Sequence, residues 1–118
     1  MTGLAEEEFK RVGLAPTYAY LLMTVNDDPG IRPGEISREL RLSPSTVTRL
    51  LDKMEQRGYL RRESAGRAIR VEPTDEGLQL DNRLVAAWQR LRRRYQEELG
   101  ERYAEVLTEM TYKATNKL

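Results

Sequence analysis

The stretch of sequence that decides the fold runs from residue 31 to residue 77, and its centre reads Ser43-Pro44-Ser45-Thr46-Val47-Thr48-Arg49. Serine caps helix N-termini well, and proline is favoured at the first helical position. The apolar residues that follow keep a helical spacing: Val47, Leu50, Leu51 and Met54. The pattern predicts a helix that buries one flank and presents short hydroxyls and cations on the other.

A second helix is predicted just before this one. Pro33 suits a first turn, and Ile36 and Leu40 lie four residues apart on one side. Because only two residues separate Leu40 from Ser43, the connection must be a tight turn. Gly58 fits the left-handed position that ends the later helix. Together the two helices predict a helix-turn-helix.

The period of the pattern changes after this helix pair. Residues 59–63 and 68–72 read as strands, and the compact loop 64–67 between them ends on an arginine. Ile69 and Val71 are expected on one face of the second strand, because successive side chains alternate between faces. The segment therefore predicts a small two-stranded hairpin.

Helices are also predicted on both sides of this region. Residues 4–12 form a short one, and Pro16 begins another. Thr74 caps a long helix that Gly100 interrupts before a last helix. The apolar positions of these two C-terminal helices are Leu84, Trp88, Leu91, Tyr95, Leu99, Val106, Leu107 and Met110. They exceed what one small lobe needs to cover, which predicts a dimer interface; the alternative is that they pack on their own chain.

Composition narrows the class of protein. A chain of 118 residues predicts one compact domain. No apolar run approaches the roughly 20 residues that cross a bilayer, and the acidic N-terminus is unlike a signal peptide, so a cytoplasmic protein is expected. The chain has no cysteine and no histidine. We therefore expect no disulfide, metal site or cofactor, and no enzyme, because the commonest general base is missing and no other catalytic constellation is visible.

Charge is distributed unevenly along the chain. Residues 32–70 carry ten Lys and Arg against five Asp and Glu, a net charge of +5, although the whole chain carries only +1. A basic middle between acidic ends indicates a face that binds a polyanion. The alternative is chance clustering on a solvated surface.

A helix-turn-helix places its second helix in the major groove of DNA, where its first turns meet the bases. Arg49 is the best candidate for a bidentate guanine contact, and Lys53 for a phosphate contact. Arg67, at the hairpin tip, suits a narrow minor groove, with Arg62 and Arg70 on the flanking backbone. The predicted DNA contacts are Ser43, Ser45, Thr46, Thr48, Arg49, Lys53, Arg62, Arg67 and Arg70.

Each of these residues also has a simpler interpretation. Ser43 caps its helix in any case, and Thr46 and Thr48 would equally suit a solvated helix face. The alternative for the hairpin is an ordinary surface hairpin, and this would be the favoured interpretation if the helix pair did not precede it. The run Arg90, Arg92, Arg93 and Arg94 is predicted to be solvated and paired with Glu97 and Glu98 at helical spacing, outside the DNA surface.

These residues resemble the MarR family of bacterial and archaeal transcriptional regulators. The resemblance rests on residues 33–58, on Gly66-Arg67-Ala68-Ile69-Arg70-Val71 and on Thr74-Asp75-Glu76-Gly77, and covers residues 14 to 77. It implies a homodimer, usually a repressor, on a near-palindromic operator. It also implies that Ser45, Thr46 and Arg49 read the major groove and Arg67 the minor groove. Many members bind small phenolic or lipophilic ligands, so a small-molecule effector is among the expectations.

The sequence departs from the family pattern at three places. Ala65 stands where an aspartate often precedes the arginine of the hairpin, and Pro73 stands where a leucine usually ends the strand. Few residues precede Pro16, where the family usually has a longer helix. The dimer is therefore expected to depend on residues 78–118.

We thus predict a mainly α fold with a small β-hairpin wing. Residues 1–77 form a DNA-binding winged helix-turn-helix with its wing at 59–73, and residues 78–118 form C-terminal dimerisation helices of the same compact domain. The predicted function is sequence-specific regulation of transcription by a homodimer bound to double-stranded DNA. The alternative is a winged helix that docks protein without sequence-specific DNA binding.

Overall fold

The computed structural model describes residues 3–100. In chain order, its elements are α1 (Leu4–Lys10), α2 (Pro16–Asp27), α3 (Pro33–Leu40), α4 (Pro44–Gln56), β1 (Leu60–Ala65), β2 (Ala68–Pro73), α5 (Asp75–Gln79) and α6 (Asp81–Leu99). The two strands pair antiparallel as one hairpin. The predicted fold class, mainly helical with a small wing, is confirmed. Among the residues described, no helix is long and apolar enough to cross a membrane.

Local sequence signals place the helix boundaries of the central region. The Ser43 hydroxyl accepts a hydrogen bond from the Thr46 amide at 3.2 Å and caps α4, with Pro44 as its first residue. Gly58 has the positive φ of 81° that the left-handed position after α4 requires. The hydroxyl of Thr74 caps α5 by accepting from the Gly77 amide. These ends are confirmed as predicted, because each depends on residues within one turn.

The core lies between α1, α2, α6, the inner flanks of α3 and α4, and the base of the hairpin. Its largest fully buried side chains are Phe9, Leu21, Leu22, Ile31, Ile36, Leu51, Met54, Leu60 and Leu84. Ile31, in the loop after α2, forms an isolated bridge with Val71 of β2. The base of the hairpin is therefore fixed to the helical body by both backbone and side-chain contacts.

The hairpin extends outward from this base. Its two-residue turn is Gly66–Arg67, shorter than the predicted loop, and Arg62 lies opposite Val71 in the register. Ile69 shares the face of Val71, as expected, yet 48% of Ile69 is exposed whereas Val71 is buried. The difference arises because Ile69 lies farther from the body, next to the turn.

The helix predicted to run on from Thr74 is broken at Leu80, which ends α5 and precedes α6. The side-chain amide of Asn26 donates to the carbonyl of Gly77 at 3.0 Å, the group that residue 81 would use in a continuous helix. It also donates to Asp81 Oδ1 at 3.3 Å. A side chain that enters the hydrogen-bond ladder of a helix is a known cause of a kink.

The predicted dimer face on α6 requires a correction. Leu84, Trp88 and Leu91 are buried in the core of their own chain, and Tyr95 is partly buried against it. They pack inward because α1 lies along α6, which the sequence pattern did not reveal. The side chain of Leu99 and residues Val106, Leu107 and Met110 lie outside the part of the molecule that is described.

Candidate nucleic-acid interface

One face of α4 is buried and the opposite face is polar. Val47, Leu50, Leu51 and Met54 pack into the core. The exposed positions are Ser45, Thr48, Arg49, Asp52, Lys53 and Gln56, with Thr46 partly exposed at their edge. The structure thus brings six of the nine predicted DNA contacts onto the first three turns of one helix, including its cap.

Hydroxyl groups link the first turn of α4 into a short chain of hydrogen bonds. Ser43 Oγ donates to Thr46 Oγ1 at 2.8 Å, and Arg49 Nη2 donates to the same oxygen at 3.3 Å. The guanidinium of Arg49 is therefore drawn towards the N-terminus of α4, and four of its N–H groups keep their capacity to donate. Arginine donates in this way, through two parallel bonds, to guanine or to a phosphate.

Thr48 is oriented differently. Its hydroxyl donates to the carbonyl of Pro44 at 3.0 Å, one turn back along the helix. The donor is thereby used within the helix, and the methyl group and the oxygen lone pairs remain for contacts outside it. An exposed threonine methyl matches the methyl group of thymine in the major groove.

The hairpin tip carries an exposed arginine. Gly66 has a φ of 64°, which lets the chain reverse in two residues, and the exposed Arg67 follows it. Within residues 3–100, Arg67 forms neither an ion pair nor a side-chain hydrogen bond. Its neighbours Ala65 and Ala68 have no polar group with which to hold it. The side chain therefore keeps its charge and all its donors for an external anion.

Arg62 and Arg70 engage groups of the protein. Arg62 pairs with Asp52 at 2.5 Å and with Glu55 at 2.9 Å, both on α4. Arg70 donates to the carbonyl of Gly30 at 3.2 Å, at the base of the hairpin. For both side chains the predicted contact with the DNA backbone stays a prediction, and the structure adds an internal role for each.

The structure also places Arg70 beside two cations that were not among the predicted DNA contacts. Arg32 and Arg38 line an open cleft with Arg70 at the start of α3, together with Gly34 and Glu35. The side chain of Arg38 folds back over the first turn, where its Nη1 is 4.0 Å from the Cβ position of Gly34. This basic cleft lies beside the hairpin base. Only the packing of β2 against α3 joins these residues, so no local sequence signal marks them as a group.

Arginines at the other end of the molecule are paired with acids. Arg90 and Arg94 contact Glu8 at 2.9 and 3.1 Å, and Arg94 contacts Glu7 at 2.8 Å. The predicted pairing within α6 is thus wrong for these two, because α1 supplies carboxylates that lie nearer. Burial alone would raise the pKa of the Glu8 carboxyl, but the hydrogen bonds from both arginines outweigh that effect and hold the pKa below its ordinary value.

Nothing in the described part of the chain resembles a metal centre: no three acidic side chains converge there in a way that could hold a metal ion. The polar groups that do converge are hydroxyls, amides and guanidinium groups on α4 and the hairpin. Groups of these types bind phosphates and base edges.

Comparison with known proteins agrees with this geometry. The model of the MarR family matches residues 12–68. The HTH-type transcriptional regulator PecS of Dickeya dadantii is 43% identical over 58 residues, which cover 47% of this chain and 35% of PecS. The chain thus matches about a third of the length of that relative.

Two solved structures extend the likeness beyond the matched segment. One is the structure of reduced AbfR bound to DNA, which is 28% identical to this chain with a TM-score of 0.64, over 71% of this chain and 63% of AbfR. AbfR is a protein of Staphylococcus epidermidis. The transcriptional regulator SlyA has a TM-score of 0.77 at 21% identity, over 96% of this chain and 84% of SlyA. The second likeness concerns the fold alone. Residues 12–68, which hold most of the winged helix-turn-helix, are thus similar to the MarR family.

Proposed function

We propose that this chain is a transcriptional regulator that binds double-stranded DNA sequence-specifically, with α4 in the major groove and Arg67 in the minor groove. The observation that carries the proposal is the pairing of two features on one side of the molecule. These are the exposed hydroxyl-and-cation face of α4 and an arginine at the hairpin tip that no described acid neutralises. The family match and the DNA-bound AbfR structure support it.

The proposal extends to a homodimer that acts as a repressor on a near-palindromic operator. Two copies related by a two-fold axis would present their α4 helices about one DNA turn apart, roughly 34–36 Å. Since Leu84, Trp88 and Leu91 are used in the core, the proposed dimer contacts come from Leu99, Val106, Leu107 and Met110. An effector ligand and a cytoplasmic location remain predictions from the sequence.

The test begins with the operator. Duplexes that bind the protein are enriched from a random pool, and the affinity for the enriched site is measured by fluorescence anisotropy. Because phosphate contacts release counterions, the affinity should fall steeply between about 50 and 200 mM salt. An enriched palindrome would support both DNA binding and two-fold symmetry.

Arg49→Ala then tests the role of α4. We expect a loss of about 1–3 kcal/mol on the enriched site and a relaxed preference at one base position. Arg92→Ala is the matched control, because Arg92 is an exposed arginine on α6. Equal losses in the two variants would contradict the assignment of Arg49. No binding of any duplex at low salt would favour the alternative, a protein-docking module.

A further inference from the structure

Arg62 of β1 connects the hairpin to α4. Its Nη2 lies 2.5 Å from Asp52 Oδ1 and its Nε lies 2.9 Å from Glu55 Oε1. The backbone amide of Arg62 also donates to Glu55 Oε2 at 3.5 Å. One residue of the hairpin is thus bonded to two carboxylates on successive turns of the helix that carries Arg49.

The position of Arg62 along the hairpin makes this connection mechanically important. Leu60 and Val71, at the base, are held by the core. Beyond Arg62, residues 63–67 of the hairpin are exposed, and Ile69 is about half exposed. Arg62 is therefore the last residue of β1 whose side chain holds the strand to the body. Arg67 lies beyond it, at the turn; on β2, the bond from Arg70 to the Gly30 carbonyl is the other side-chain link from the hairpin to the body.

The two acids also matter for the charge of the DNA-facing side. Asp52 lines the same polar surface of α4 as Arg49 and Lys53, and about half of its side chain is exposed. Unpaired carboxylates there would repel phosphates. Arginine suits the position, because its planar guanidinium donates in two directions at once and stays charged at every relevant pH.

We propose that Arg62 is a positioning residue for DNA binding: it sets the distance and angle between α4 and Arg67 and offsets part of the negative charge of Asp52 and Glu55, without itself contacting a phosphate. The inference rests on the proposed function. Its physical basis is that two carboxylates already outweigh the single positive charge of Arg62, so a phosphate beside it would meet no net positive charge.

The first test needs no DNA. Amide hydrogen exchange is measured in the free protein for the parent, Arg62→Ala and Arg92→Ala. We expect Arg62→Ala to speed exchange about tenfold in residues 63–70, with little change in α2 and α6, because local opening of the hairpin becomes easier. Unchanged exchange in the hairpin, or equal acceleration at every amide, would overturn the positioning role.

The second test is a double-mutant cycle on the enriched duplex. In the parent, Arg67→Ala should weaken binding about tenfold. In the Arg62→Ala background the same change should weaken it by less than about threefold, since an unsupported hairpin no longer delivers Arg67 to the groove. If the fold-loss of affinity in the double variant equals the product of the losses in the two single variants, Arg62 and Arg67 act independently. Two separate DNA contacts would give that result.

The third test removes the acids and keeps the arginine. Asp52→Asn combined with Glu55→Gln makes the surface more positive and releases Arg62. A direct phosphate contact would leave the ratio of affinities for enriched and random duplexes unchanged, because phosphate contacts carry no sequence information. Positioning predicts a fall of about threefold or more in that ratio. If the parent binds no duplex, the proposed function fails, while the exchange experiment still decides whether Arg62 holds the hairpin.

Discussion

Arginines at the two ends of this molecule are used in opposite ways. At the recognition end, formed by α4 and the hairpin, Arg49 and Arg67 are exposed and meet no carboxylate among the described residues. At the α1–α6 end, Arg90 and Arg94 are neutralised by Glu7 and Glu8. Two arginines of the densest run of the sequence, residues 90–94, are thus paired in space, although Arg92 and Arg93 beside them are exposed. Density along the chain therefore does not show which arginines are free to bind an external anion, because folding pairs some of them with acids.

Arg62 shows a third use at the recognition end itself. It lies beside the exposed cations, yet it is paired with two acids of α4. The ion pairs of Arg62 and those of Glu8 join different parts of the molecule. The Glu8 pairs join two helices within the body, whereas the Arg62 pairs join two elements that would both touch DNA. Arginine–carboxylate pairs thus stabilise the fold between α1 and α6, and between α4 and the hairpin they are proposed to hold two DNA-binding elements in position.

Glu8→Gln tests the contrast between the two groups of arginines most directly. Only 5% of the Glu8 side chain is exposed, so its replacement leaves two arginines without their buried partner. We expect a loss of about 2 kcal/mol in the free energy of unfolding. This is less than a fully buried pair would lose, because about a third of each arginine side chain remains in contact with solvent. Urea titration at neutral pH provides the measurement.

At a temperature where Glu8→Gln stays folded, its affinity for the enriched duplex should match that of the parent within about threefold, since distant sites act independently. A larger loss of affinity would mean that the α1–α6 end contributes to DNA binding, and the contrast between the two ends would not hold.

Arg67→Ala should have the reverse effect. We expect about a tenfold loss of affinity. The slope of the logarithm of the binding constant against the logarithm of salt concentration should decrease in magnitude by about 1, because one cation fewer contacts the DNA. Arg67 is exposed and touches no described acid. The free energy of unfolding of the Arg67→Ala variant should therefore stay within about 0.5 kcal/mol of that of the parent. Arg92→Ala should alter neither quantity.

Ser43→Ala should affect both properties moderately. Removing the hydroxyl deprives the Thr46 amide of its cap, which should lower the free energy of unfolding by about 1 kcal/mol. The same oxygen orients Thr46 Oγ1, the acceptor of Arg49, so a small loss of affinity is also expected. Ser43→Asp is the control, because aspartate restores the cap but adds a charge that DNA would repel. Full affinity in the aspartate variant would argue against phosphates near this end of α4.

The smallest expected effect is one of pH. The folded state lowers the pKa of Glu8 below its ordinary value of 4.5. Its contribution to stability is therefore complete above that value and disappears as the pH falls through the lower pKa of the folded state. The stability difference between parent and Glu8→Gln should accordingly shrink in acid. Urea titrations at pH 7 and at about pH 3.5 measure it, and a difference that grew in acid would contradict the assigned direction.

Local residues were sufficient to predict the caps, the helix-turn-helix and the hairpin. Ser43, Gly58 and Thr74 act within one turn of their own positions, so no distant neighbour was needed to interpret them. The break at Leu80 was missed because its cause, Asn26, is 51 residues from the carbonyl it binds. The packing of Leu84, Trp88 and Leu91 on their own chain was the alternative to a dimer interface, and the sequence did not decide between them because an amphipathic stripe does not show which surface covers it.

The sequence by itself determined where α4 begins and ends, where α5 begins, and which flank of α4 is apolar. These follow from side-chain caps, proline positions and hydrophobic period, all of which act over a few residues. Only the tertiary structure decided which cations are available. Arg90 is 82 residues from Glu8, and Arg62 is 10 from Asp52. An arginine pairs with whichever carboxylate folding brings within about 3 Å, and that choice is made by packing.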